Sequence, residues 1–71
     1  MIVNLYIYEV EATWANRAYF VAESEQLPLQ TNCKELENQP AEFFGDSKDE
    51  VISQAKAYAK RLYGNGTIKL V

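Results

Sequence analysis

The sequence predicts a two-layer α+β domain, with one helix laid on one face of a sheet built from an antiparallel hairpin and further strands, in the order β-β-(β)-α-β. Three observations carry this. Residues alternate between two sets at the start of the chain and again after a short polar break. A serine-led helix start precedes apolar residues at helical spacing. Alternation then returns from Thr67 to Val71. A chain of 71 residues makes one domain, residues 1–71. A domain of this size buries only about 60% of the surface its unfolded chain exposes, so its stability is modest.

Each element has its own reason. From Ile2 to Glu11, Val3, Leu5 and Ile7 point one way, and Asn4, Tyr6, Tyr8 and Val10 point the other. Period two with β-branched and aromatic residues is a strand. Arg17 to Glu23 has the same character, and Thr13-Trp14-Ala15-Asn16 makes a four-residue hairpin loop between them. That loop pairs Ala12 with Arg17, Tyr8 with Val21 and Ile7 with Ala22. Val3, Leu5, Ile7, Phe20 and Ala22 then share one face, and Tyr6, Tyr8, Val10, Tyr19 and Val21 share the other. A slip of one residue would exchange the faces of a strand.

Ser24 to Gln39 is polar and punctuated by Pro28 and Pro40, which predicts a long loop. Within it, Asn32-Cys33-Lys34-Glu35 suits the cap of a short helical turn. Ala41 to Phe44 suits a short strand. Ser47-Lys48-Asp49-Glu50 is a capping box, followed by Val51, Ile52, Ala55, Tyr58, Ala59, Leu62 and Tyr63 on one broad helical face. Asp49 and Glu50 complement the positive end of the helix dipole, and Lys60 and Arg61 the negative end. Gly64 supplies the left-handed stop. One helix covers one sheet face, and the aliphatic face, joined by Ile68 and Leu70, is the natural choice. The tyrosine face is then left open.

Composition narrows the chemistry. No histidine is present, which removes the commonest general base and the usual catalytic zinc ligand. Glu9, Glu11, Glu23 and Glu25 read as solvated strand ends rather than a metal site, and Cys33 as a loop thiol without a role. Gly64-Asn65-Gly66 follows a helix, whereas a phosphate cradle precedes one. The sequence therefore predicts no enzyme, no catalytic residue, no cofactor and no metal. Seven basic residues against ten acidic, a net charge of −3, disfavour nucleic acid. The same charge suits a basic protein partner, whose approach it accelerates. A single cysteine forms no internal disulfide, and no leader or membrane-length apolar run is seen, so a cytoplasmic protein is expected.

Tyr6, Tyr8 and Tyr19, with Arg17 beside them, are the candidate partner-binding residues. Three readings apply to them. They pack on a pleated surface simply because tyrosine suits it, they contact a protein, or, with Lys69, they stack bases. For a protein contact, the occupant is a separate basic partner or a second copy of the chain, as in a structural homodimer or the subunit of an assembly.

Two stretches resemble one family. Tyr19-Phe20-Val21-Ala22-Glu23 followed by Leu27-Pro28 is similar to the YYVAE…LP segment of HicB-like antitoxins. Gly45-Asp46-Ser47-Lys48-Asp49-Glu50-Val51, then Ala55-Lys56, is similar to their GDT-x-EEA-x₃-AK helix start. Val3 to Glu11 sits where that family has its first strand. Leu29 stands where the family usually has glycine, and the segment between Pro28 and Gly45 is longer than usual. The resemblance implies a partial ribonuclease-H-like domain that sequesters a small basic ribonuclease toxin. Many family members carry a C-terminal DNA-binding segment, which is not seen here, so operator binding is not expected.

Overall fold

The computed structural model describes residues 1–30, 32–36 and 39–71. It contains four strands, β1 (Ile2–Val10), β2 (Tyr19–Pro28), β3 (Pro40–Gly45) and β4 (Thr67–Leu70), one helix, α1 (Lys48–Tyr63), and a 3₁₀ turn at Lys34–Leu36. The sheet order is β3-β2-β1-β4. β1 pairs antiparallel with β2, and β2 antiparallel with β3, whereas β4 joins the outer side of β1 in parallel. β3 and β4 thus run in the same direction at opposite edges. Such strands need a crossover, and α1 supplies it while covering one face.

The hairpin register is the expected one, with Tyr8 opposite Val21 and Ile7 opposite Ala22. The pairing stops sooner than expected. It ends at Val10–Tyr19, and Ala12 and Arg17 lie outside both strands. The turn itself forms. The Thr13 N–H donates to the Asn16 carbonyl at 2.8 Å, and Thr13 Oγ1 accepts from the N–H groups of Ala15 and Asn16. This local competition from a threonine side chain closes the tip without extending the ladder.

The helix begins and ends as its sequence requires. Ser47 is extended, and its Oγ accepts the Glu50 N–H at 3.2 Å. The return arm of the capping box differs. Glu50 Oε2 accepts from the Asp46 N–H at 2.6 Å, one residue earlier than the box implies. Gly64 has φ 72°, and its N–H closes onto the Lys60 carbonyl.

Val3, Leu5, Ala22, Leu27, Ala41, Phe43, Val51, Ala55 and Ala59 form the core between sheet and helix, with Ile7, Phe20, Ile52, Tyr58, Leu62 and Ile68 packed around it. Two expected core residues depart from this. Leu70 lies on the helix side by register with Leu5 but is exposed, because α1 packs mainly over β2 and β3. Tyr63 is also exposed, and its ring serves as an arm for a hydroxyl that bonds the Gln26 carbonyl.

The largest correction concerns the expected loop at 24–39, of which Thr31, Glu37 and Asn38 lie outside the described residues. β2 continues to Pro28 instead. After Glu23 it loses register with β3, regaining it at Pro28–Pro40. The irregular stretch is held by polar groups. Ser24, buried, donates its hydroxyl to Gln26 Oε1 and accepts the Gln26 N–H. From the helix, the hydroxyls of Tyr58 and Tyr63 donate to the carbonyls of Pro28 and Gln26. Leu27, wholly buried, is the apolar anchor between those two carbonyls. A polar composition hid a strand whose irregular backbone is satisfied by side chains.

Candidate protein-binding face

Among the described residues, no element covers the face of the sheet away from the helix, where Tyr6, Tyr8 and Phe44 are exposed. Cross-strand register makes its rows. Tyr8, Val21 and Phe44 form one row across β1, β2 and β3, and Tyr6, Glu23 and Glu42 form the next. Tyr6 and Tyr8 rings lie 5.9 Å apart, and Tyr19 and Phe44 rings 6.2 Å apart. Tyr6 and Phe44 are about half exposed, and Tyr8 somewhat less. Val21 shares this face and is buried, since it lies between Tyr8 and Phe44 in its row. The aromatics thus shield one aliphatic residue and present their remaining surface outward.

Two carboxylates stand among these rings. Glu23 and Glu42 are directly opposite one another across β2 and β3. Like charges so placed repel. Crowding by its neighbours, and then the negative charges of Glu23 and Glu42, push the Tyr8 phenol above its ordinary value. Glu23 is half buried on the aromatic face, within β2, and is not the solvated strand end expected of it. Glu9, by contrast, is opposite Phe20 on the other side of the sheet, and Glu11 lies outside the strand. Of the carboxylates considered from sequence, Glu23 and Glu25 line one cleft, and Glu9 and Glu11 do not join them. Among the described residues, no group of three or more potential metal ligands is assembled.

Of the expected site residues, Tyr6, Tyr8 and Tyr19 share this face. Arg17 lies in the β1–β2 connection, two residues before Tyr19, where its Nη2 is 3.8 Å from Asp46 Oδ2. Both side chains are well exposed, so this ion pair contributes little to stability. Phe44, Glu23 and Glu42 belong to the face and were missing from the expected set. Parity through Val21 would have found Phe44 once β3 was paired to β2.

The face extends at both ends. Beyond Phe44, a shallow hollow is lined by Leu29, Leu36, Pro40 and Glu42. Beyond Tyr6, the β1–β2 ladder stops at Glu23, and a cleft of about 810 Å³ opens between the separating strands, lined by Asn4, Tyr6, Glu23, Glu25 and Gln26 among others. Here the Asn4 N–H, which would next have bonded β2, donates to Gln26 Oε1 instead.

No described helix is long and apolar enough to cross a membrane. The chain matches no family model, and no curated protein or solved structure is significantly similar to it.

Proposed function

We propose that the chain is a non-catalytic protein-binding module that takes a basic protein partner on its open sheet face. The observation that carries this reading is the row of Tyr6, Glu23 and Glu42 beside the row of Tyr8, Val21 and Phe44. Tyrosine and phenylalanine supply large contact areas with few rotatable bonds. Carboxylates among them favour a cationic surface and repel an anionic one. An antitoxin of the HicB-like kind, which sequesters a small basic ribonuclease, would use an acidic module in this way, and the β-β-β-α-β order suits that resemblance.

The alternative, a homodimer or assembly subunit paired through the same face, is weaker on charge grounds. Two-fold pairing puts one patch against itself. Glu23 and Glu42 of one copy would then be buried near those of the other, at a cost in desolvation and repulsion.

Capture from host extract tests the proposal. The immobilised chain should retain a basic protein and release it as salt is raised. Recovery of nucleic acid alone, or a stable homodimer in dilute solution that buries the tyrosines, would overturn it.

A further inference from the structure

We infer that the cleft at the end of the β1–β2 ladder receives an arginine side chain of the partner, its guanidinium stacked on the Tyr6 ring and bonded to Glu23 and Glu25. This deepens the proposed function and rests on the open face being the partner surface.

Three observations lead to it. The cleft adjoins the aromatic rows, with Tyr6 belonging to both. Among the described residues the one ion pair is Arg17–Asp46, so there no Lys or Arg pairs with the cleft's Glu23 and Glu25, nor with neighbouring Glu42. Moreover, Glu23 faces Glu42 across the ladder, an arrangement that an incoming positive charge relieves.

The shape of the site favours arginine over lysine. A guanidinium is planar, so it can lie on a tyrosine face, and its fork of N–H donors can reach two acceptors at once. An ammonium presents a compact charge that gains less from the ring. Gln26 Oε1, which also lines the cleft, is already engaged by Asn4 and Ser24. That leaves the carboxylates as the strongest acceptors for the ligand.

The experiment uses the full chain and two short peptides with blocked, uncharged ends, identical except that one carries arginine where the other carries lysine. Each is titrated at low salt and followed by amide chemical shifts. The arginine peptide should bind about two- to fivefold more tightly, with shifts concentrated at Asn4, Tyr6 and residues 23–26. Tyr6→Leu should remove the preference, and Glu25→Gln should weaken both peptides. Glu25 is exposed, so this second variant keeps the fold. Equal affinities, or shifts spread as far as Asp49 and Glu50 at the helix start, would overturn the assignment. Tyr8→Ala separates the two levels. If the arginine preference is absent but Tyr8→Ala still loses a captured basic protein, the cleft assignment fails and the face stands. If the peptide docks in the cleft but Tyr8→Ala retains the protein, the open face fails as the partner surface, and the assignment of the cleft to a partner arginine falls with it.

Discussion

Removing the hydroxyls of Tyr58 and Tyr63 should loosen residues 26–28 while leaving the core intact. After Glu23, β2 has left its ladder with β1, and it rejoins β3 at Pro28. The two tyrosine hydroxyls are the helix's polar hold on that stretch, one on Pro28 and one on Gln26. Phenylalanine at both positions deletes only the oxygens. The Tyr58 ring would keep its edge-on contact with Phe43, 5.4 Å between centroids, and the Arg61 guanidinium over its face. Each hydrogen bond nets about 0.5–1.5 kcal/mol, so the double variant loses about 1–3 kcal/mol. For a domain this small, each kcal/mol moves the melting temperature by about 4–8 °C. The total stability is of the order of 4–10 kcal/mol, so the fold survives but opens more often. Thermal unfolding by circular dichroism reads the first effect. Hydrogen exchange at Leu29, whose N–H bonds the Gln39 carbonyl, reads the second. A double variant that melts and exchanges like the wild type would refute the claim that these hydroxyls hold the irregular strand.

Other perturbations act on separate parts of the molecule. Ser47→Ala should cost about 1 kcal/mol in chemical denaturation, because the Glu50 N–H loses its acceptor; an unchanged midpoint would place the helix start elsewhere. Tyr8 should titrate above the usual tyrosine value of 10.0. Its raised folded pKa stabilises the fold below the unfolded value, and that contribution is lost as pH rises through the folded one. Ring carbon shifts followed through alkaline pH check this, Glu23→Gln should bring the titration down, and a Tyr8 that titrates at or below its ordinary value removes the carboxylates from the explanation. Association with a basic partner should slow as salt rises from low to physiological; stopped-flow rates flat across that range would show that charge does not steer the encounter.

Much of the fold is legible in the sequence because its signals are local. Alternation from Val3 to Val10 and the turn at Thr13 fix the hairpin register, and Ser47 and Gly64 bound the helix at the expected places. The parallel pairing of β4 with β1 is not local, and nothing in Thr67 to Val71 specifies direction. The extension of β2 to Pro28 was hidden for another reason. Its residues Glu23, Ser24, Glu25 and Gln26 have no alternation of apolar and polar types, and the Gln26 carbonyl is held by the hydroxyl of Tyr63, distant in sequence. The tyrosine face was visible by parity, and so was the place of Glu23 on it, but the pairing of Glu23 with a second carboxylate was not. Glu23 and Glu42 become neighbours only when β3 is set in register beside β2. Arg17 looked like part of that face by its place before Tyr19, yet the ladder ends before it and its guanidinium turns to Asp46.

The helix side of the sheet is the core, and the tyrosine side is the proposed working surface. Ile7 and Tyr8 are adjacent on β1 and face opposite ways, so they form a matched pair. The measurement is the melting temperature of Tyr8→Ala and Ile7→Ala, each set beside its affinity for the basic protein captured by the wild-type chain. Ile7→Ala should lose at least about 2 kcal/mol of stability as a core truncation. Tyr8→Ala should lose less stability and weaken the partner by more than about 1 kcal/mol. A Tyr8→Ala chain that unfolds as readily as Ile7→Ala, or one that stays folded and keeps its partner at wild-type affinity, would contradict the account.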